Sequence, residues 1–284
     1  MSGVPTKVDV DIFDVTRTTF DQRLSRLPSK SATILCIDVQ LPTPLMTVSG
    51  LDTGDSAASE RRDARKRKLY ESLREREFYA YYESVLAYAN TEPKYCDLHS
   101  PEIVAEHQAV ASADATLTAL AQLVALRTSA RRALISFLDA EYSYIIAEST
   151  QTLSLQDDDE HSKHDPDDSL WLGFTKIPRG SSLWEGTADL PLNEGSNAQD
   201  PHSASVAHIV NDLAEDSHFR DKPYVKGGPK ARFYAGVPIT TPRGIVIGVL
   251  CVLDDKPRDG LEPSQVAFLQ SMASTVVSHL ELVS

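Results

Sequence analysis

The sequence predicts a mixed α/β domain in which helices pack against an antiparallel sheet. Three strand-length segments rich in β-branched and aromatic residues follow one another as a meander over residues 132–139, 142–148 and 150–155. Two longer apolar segments, 232–240 and 244–254, predict a central hairpin. Because these two segments are apolar almost throughout, we expect the sheet to be covered on both faces.

Helices are predicted before and after these strands. Ser112 is the expected N-cap of a helix that runs to Ser129. An amphipathic helix closes the chain and carries apolar residues at three- and four-residue steps, namely Leu269, Met272, Val276 and Leu280. This stripe stays apolar almost to the end of the chain, which predicts a homodimer whose terminal helices pair in parallel.

Changes in composition suggest three regions. Residues 1–69 are expected to form a mostly disordered N-terminal arm and the start of a charged helix. Residues 70–110 form a Tyr-rich helical segment that packs on the domain, and residues 111–284 form the domain itself. Within it, residues 156–168 carry seven acidic side chains against one lysine, which indicates a surface loop.

Charge and cysteine content exclude several classes of function. A formal net charge of −13 and a pI near 5.0 make nucleic acid an unexpected partner. We see no apolar run of the length that crosses a bilayer, so no membrane association and a cytoplasmic location are expected. The three cysteines, Cys36, Cys96 and Cys251, are widely spaced and indicate reduced thiols. His161 and His164 lack metal-ligand spacing, so no metal site is expected.

The hairpin sequence RFYAGVPITTPRGIVIGVLCVLDDKPR, residues 232–258, and the helix after it resemble the C-terminal half of the GAF domain. Residues 119–155 and 168–185 resemble, more narrowly, the GAF region of fungal hybrid histidine kinases. In that family a charged, Tyr-rich helix also precedes the domain. The resemblance implies a central antiparallel sheet of five to six strands, helices on one face and a loop-roofed pocket for a small molecule on the other.

The resemblance also implies a function. The chain is expected to be a sensory or regulatory module of a two-component phosphorelay histidine kinase, with a downstream kinase module in full-length relatives. It ends before a kinase core and has no ATP-binding motif, so no enzymatic activity is expected. A ligand-independent dimerisation or protein-interaction scaffold is the alternative, and a redox enzyme built on the same fold is a weaker one.

Two kinds of chemistry known in related proteins find no match in the residues. In SHLEL, residues 278–282, Leu280 separates His279 from the acidic residue that would follow a phospho-accepting histidine directly, so His279 is expected to be a surface residue. Bilin-binding GAF domains attach their chromophore through a cysteine, but none lies between residues 97 and 250. We therefore expect no cofactor, and Cys251 is expected to be a buried apolar side chain.

Large aromatic residues in or beside the long irregular segment are the candidate ligand-binding residues. Such side chains suit an apolar site that would bind a small molecule, although each also suits ordinary core packing. The candidates are Trp171, Phe174, Trp184, Phe219 and Tyr234.

Overall fold

A computed structural model describes residues 55–89, 92–153, 169–189 and 207–283. The acidic segment 156–168 with its two histidines, Cys36 and most of the N-terminal arm lie outside the described residues. All described residues belong to one unit, Thr53–Ser284.

Seven strands form one sheet in the described part of the chain. In chain order they are β1 (Lys94–Tyr95), β2 (Arg132–Leu138), β3 (Tyr142–Thr150), β4 (Thr175–Pro178), β5 (His208–Val210), β6 (Phe233–Thr240) and β7 (Val246–Asp254). Their order across the sheet is β1-β4-β3-β2-β7-β6-β5. All neighbours are antiparallel except β1 and β4, which run parallel. The expected mixed α/β fold is confirmed. Strand β1 has only two residues, too few to show the alternation by which a strand is recognised in a sequence.

The expected third strand of the meander, residues 150–155, does not form over residues 150–153, and residues 154 and 155 lie outside the described part of the chain. Strand β3 ends at Thr150, and residues 151–153 form a bend. The side-chain amide of Gln122 lies 2.7 Å from the Leu153 carbonyl oxygen and 3.3 Å from that of Thr150. After the irregular segment, β4 pairs with β3 in the place expected for that strand.

Six helices complete the described fold: α1 (Asp55–Ala89), α2 (Pro101–Glu106), α3 (Ala115–Thr128), α4 (Glu185–Ala188), α5 (Pro223–Lys226) and α6 (Pro263–Val283). Helices α1, α3 and α6 pack on one face of the sheet and form the first core. Helices α4 and α5 contribute to a second core on the opposite face.

Strand β2 shows how the sequence supplies both cores. Its alternate residues Ala133, Ile135 and Phe137 face the first core. Leu134 and Leu138 face the second. Every residue of β2 and of β7 is buried, which confirms that the apolar strands are covered on both faces.

The hairpin between β6 and β7 closes through a tight turn over residues 241–245. Gly244 has a φ of +78°, a conformation that glycine adopts without steric cost. Its N–H donates to the Thr241 carbonyl over 2.8 Å, and the Thr241 N–H donates to the Ile245 carbonyl over 2.9 Å.

Helix α1 joins the charged run and the Tyr-rich run in one helix of 35 residues. Its aromatic side chains enter the first core, where the Phe78 ring stacks on Tyr82 and on Tyr144 of β3 with centroids 4.8 and 5.1 Å apart. The Tyr144 hydroxyl then donates to the Asp139 carboxylate over 2.7 Å. Aromatic pairs of this geometry contribute beyond the area they bury, so α1 is an integral layer of the domain.

The N-cap of α3 is Asp114, not Ser112. One oxygen of the Asp114 carboxylate accepts the N–H groups of Thr116 and Leu117 over 2.9 and 3.0 Å. Its other oxygen lies 2.8 Å from Nε2 of His279 on α6. The expectation of a surface His279 is also wrong, because its side chain is only 16% exposed and connects α6 to the start of α3.

Helix α6 presents its apolar stripe to its own domain. Leu269, Val276 and Leu280 are buried in the first core, and Met272 is partly buried against it. A paired-helix dimer stays a prediction, but these three side chains already have intramolecular partners. The helix also has the length and apolar composition of a membrane-crossing segment, a test that core helices of soluble proteins pass as well.

Candidate functional site

A buried carboxylate fixes the start of the segment that covers the second face of the sheet. Glu148 lies near the end of β3, and its Oε1 accepts from the Arg132 guanidinium over 2.5 Å and from the Trp171 N–H over 2.8 Å. Oε2 accepts from the N–H groups of Leu172 and Gly173 over 2.8 and 2.7 Å. A carboxylate that accepts from a cation and three amides satisfies its lone pairs without water. We call this arrangement the Glu148 clamp.

Glycine is required at one position in the clamp. Gly173 has a φ of +62°, and a Cβ placed there would lie 2.3 Å from the Val110 carbonyl oxygen. This close approach lets the Phe174 N–H donate to that same carbonyl over 2.7 Å. His107 Nε2 lies 2.9 Å from the Leu172 carbonyl oxygen on the same stretch. Residues 171–174 are therefore held by Glu148 on one side and by Val110 and His107 on the other, just before β4 begins.

A cavity of about 520 Å³ lies beside the clamp, where β2 begins and β7 ends. Its polar lining includes Arg131, which bonds to Asp255 over 2.5 Å. Trp171 forms part of the wall, and the turn from Gly228 to Lys230 closes another side. Its volume suits a small ligand, but most of the candidate aromatic residues do not line it.

A second constellation lies within the second core, around α4. The Thr187 hydroxyl lies 2.5 Å from the Tyr234 hydroxyl and 3.3 Å from Nδ1 of His208. The Trp184 indole N–H donates to the Ser143 hydroxyl over 2.6 Å. Thr187, Trp184 and Tyr234 are all buried, so these polar atoms depend on one another rather than on bulk water.

Tyr224 of α5 places a further hydroxyl in this core. Its hydroxyl is the buried side-chain polar atom for which the described chain offers no hydrogen-bond partner. Burial chiefly, and then Glu185, raise the pKa of Tyr224, so the phenol stays protonated and can donate. Burial, followed by Cys251 and the neighbouring Tyr224, raises the pKa of Tyr234. A buried hydroxyl without a partner costs free energy and needs an explanation.

The structure brings four of the five candidate aromatic residues to the second face. Trp184 and Tyr234 are buried in the second core, and Trp171 and Phe219 pack against it partly exposed. Phe174 lies on the opposite side of the sheet, in the first core, apart from the other four candidates.

Sequence reasoning missed Thr187, His208 and Tyr224. His208 had a usable signal, because it lies in the short apolar run 207–210, whose alternation places His208 and Val210 on one face. Thr187 and Tyr224 lie on four-residue helices, which are too short for periodicity to show which side is buried.

The two cysteines in the described part of the chain are poor nucleophiles. Cys96 and Cys251 are both buried. Burial is the largest factor that raises the pKa of each thiol, and the raised pKa disfavours the reactive thiolate. Within the same residues, no group of three or more His, Cys, Asp or Glu side chains is placed to hold a metal ion.

His208 should make stability depend on pH. Burial is the main cause that lowers the pKa of His208 below its ordinary value of 6.5. Between those two pKa values the unfolded chain binds a proton that the folded chain does not, so stability falls as pH drops through this window. Denaturant midpoints measured from about pH 7.5 down to 5 should fall in wild type and stay flatter in His208→Gln. Exposed His218→Gln is the control, and an unchanged slope in His208→Gln would contradict the assignment.

Comparisons with known proteins bear on this architecture. The family model of the GAF domain matches residues 112–280. Cyclic di-GMP phosphodiesterase PA2567 of Pseudomonas aeruginosa is 45% identical over 71 residues, which are 25% of this chain and 12% of that protein. The chain therefore spans a small part of that relative.

Two of the solved structures to which this chain is similar are GAF domains of low sequence identity. The GAF domain of PixJ from Thermosynechococcus elongatus is 13% identical, with 60% of this chain and 84% of that chain covered and a TM-score of 0.39. The GAF domain of the Acinetobacter phosphoenolpyruvate-protein phosphotransferase is 14% identical, with 59% and 80% covered and a TM-score of 0.37. On the family match over residues 112–280, this chain belongs to the GAF domain family.

Proposed function

We propose that the chain is the sensory and regulatory GAF module of a two-component phosphorelay histidine kinase of the fungal hybrid type. In this proposal a small molecule binds in the second core, the protein is a cytoplasmic homodimer, and the phosphotransfer chemistry belongs to a downstream kinase module. Family membership supports the sensory role. The sequence resemblance described above motivates the assignment to a kinase.

The observation that carries ligand binding is the Tyr224 hydroxyl, which is buried in the second core and has no hydrogen-bond partner among the described residues. Tyr234, Thr187 and His208 supply further donors and acceptors on the same face. A few polar groups set among apolar and aromatic side chains are typical of small-molecule sites. The chemistry favours a small, largely apolar ligand with an oxygen or nitrogen acceptor for the Tyr224 hydroxyl.

We propose a binding role rather than an enzymatic one. The described thiols are buried and their raised pKa values disfavour thiolate formation, which argues against the redox-enzyme alternative. The net charge of −13 opposes binding to nucleic acid. The buried stripe of α6 supports a helix that covers its own sheet rather than one embedded in lipid.

Tyr224→Phe tests the proposal by native mass spectrometry of the purified full chain. Wild type should retain a small-molecule adduct, and Tyr224→Phe should reduce its occupancy about tenfold, as expected for one lost hydrogen bond in a buried site. Tyr144→Phe is the matched control, because Tyr144 is also a buried tyrosine but bonds to Asp139 on the other face.

A second set of results would contradict ligand binding. If wild type has no adduct and Tyr224→Phe unfolds at the same or a higher denaturant concentration, the hydroxyl has no ligand partner, since removal of an unsatisfied buried group is neutral or stabilising. That result would favour the ligand-independent scaffold.

One observation supports the scaffold and dimer alternative directly. Leu123 and Leu126 on α3 are 47% and 51% exposed and, three residues apart, share one side of the helix. If helices pair between two copies, we place the seam on this exposed face of α3, because most of the α6 stripe is buried in the first core.

A further inference from the structure

We propose that Arg74 connects the second core to α1, so that a displacement of α4 changes the position or stability of the N-terminal helix. This inference rests on the proposed sensing role of the second core. In this proposal, a change at the ligand site is transmitted to α1, and Arg74 is the residue that transmits it.

Arg74 joins three elements through one side chain. It lies in the middle of α1 and is fully buried. Its Nε donates to the Val246 carbonyl at the start of β7 over 3.0 Å. Nη2 donates over 3.0 Å to the Ala188 carbonyl at the end of α4 and, over the same distance, to the Asp189 carboxylate. Nη1 donates to Glu71 on α1 itself over 2.9 Å.

The energetics make this connection sensitive to position. A buried guanidinium is tolerated only while its N–H groups keep their acceptors, because the charge cannot be left unpaired in the core. The planar group cannot adjust one donor independently of the others. The Ala188 carbonyl, at the end of its helix, has no intrahelical donor and is therefore free to accept from Arg74. If α4 moves, Arg74 loses the acceptors from Ala188 and Asp189 together, and α1 must shift to compensate.

Helix α4 is the element that carries the candidate ligand site. Thr187 bonds to Tyr234 and lies one residue before Ala188, the carbonyl acceptor of Arg74. Trp184, immediately before α4, is anchored on Ser143 of β3. A four-residue helix has little internal stability, so its position depends on these side-chain contacts.

A second group of charges strengthens the same connection. Glu185 at the start of α4 bonds to Arg179 over 3.2 Å, and Arg179 lies 3.7 Å from Glu71 of α1. Both ends of α4 therefore contact residues of α1, directly or through one arginine.

The test measures hydrogen–deuterium exchange of α1 peptides in the full chain while α4 is perturbed by substitution. Thr187→Val removes the bond to Tyr234 and should raise exchange around residue 74 about tenfold in the wild-type background. In Arg74→Met, where α1 loses its direct bonds to α4 and keeps only the longer connection through Arg179, the same substitution should add less than about a twofold change. Asp189→Ala provides a milder second background, because it removes only the partly exposed carboxylate partner of Arg74.

Thr128→Val is the matched control. Its hydroxyl is equally buried but bonds within α3, to the Val124 carbonyl over 2.8 Å. The proposal is overturned if Thr187→Val leaves α1 exchange unchanged, if it acts equally with and without Arg74, or if Thr128→Val has the same effect on α1. No ligand is needed, so the absence of an adduct in mass spectrometry would refute ligand binding without deciding this coupling.

Discussion

Replacing Val276 and Leu280 by glutamate should unfold the domain rather than separate a dimer. Both side chains are fully buried in the first core between α6 and the sheet. Each new carboxylate would be buried without a partner at a cost of several kcal/mol. Two such costs are comparable with the total stability of a typical domain, about 5–15 kcal/mol. Circular dichroism should show loss of the cooperative thermal transition.

Two controls separate core from interface. Leu282→Glu lies on the same helix, where Leu282 is 85% exposed, and should change stability by less than about 0.5 kcal/mol. Leu123→Glu with Leu126→Glu should leave the fold intact and shift sedimentation toward monomer if the exposed face of α3 is the seam. A Val276→Glu, Leu280→Glu protein that is folded and monomeric would contradict the intramolecular packing and restore the α6 stripe as the interface.

The second large effect is expected from Glu148→Gln. The amide keeps one carbonyl oxygen, but its NH₂ group would point at two of the four donors that Glu148 now satisfies. The buried Arg132 would also lose its anionic partner. Breaking a buried pair in this way costs about 3–5 kcal/mol, which chemical denaturation would measure.

Glu141→Gln is the matched control for the Glu148 clamp. Glu141 is exposed and lies just before β3, at the opposite end of that strand from Glu148, so the substitution should have little effect on stability. Limited proteolysis near residues 169–174 should speed up in Glu148→Gln only, because the clamp holds this segment. If the two variants have equal stability, the clamp contributes far less than its geometry implies.

The sequence predicted the central elements well because their signals are long. The hairpin of β6 and β7 and helix α6 have many apolar residues in regular steps, so type and approximate bounds followed from periodicity. The same periodicity could not say which partner an apolar stripe meets. The Leu269 to Leu280 stripe fits a dimer seam and a sheet-covering helix equally well, and only the fold shows it buried in its own domain.

Most of the candidate site could not be read from the sequence. The Glu148 clamp joins residues on β3 to amides more than twenty positions later, and backbone amides leave no mark in the sequence. Arg74 lies among alternating charges, a pattern typical of a solvated helix face, yet its side chain is fully buried. The local spacing of the charged residues does not distinguish the one buried arginine from the exposed arginines around it.

The lengths of the outermost strands limit how copies of this domain can associate. In the described part of the chain the sheet ends in β1, with two residues, and β5, with three. A strand of that length presents few unpaired backbone groups, so it is a poor template for another chain. Continuous sheets formed edge to edge, the route to fibrils and to strand-exchanged aggregates, are therefore disfavoured. Where copies of this domain do associate, side-chain contacts rather than added strands are the expected means.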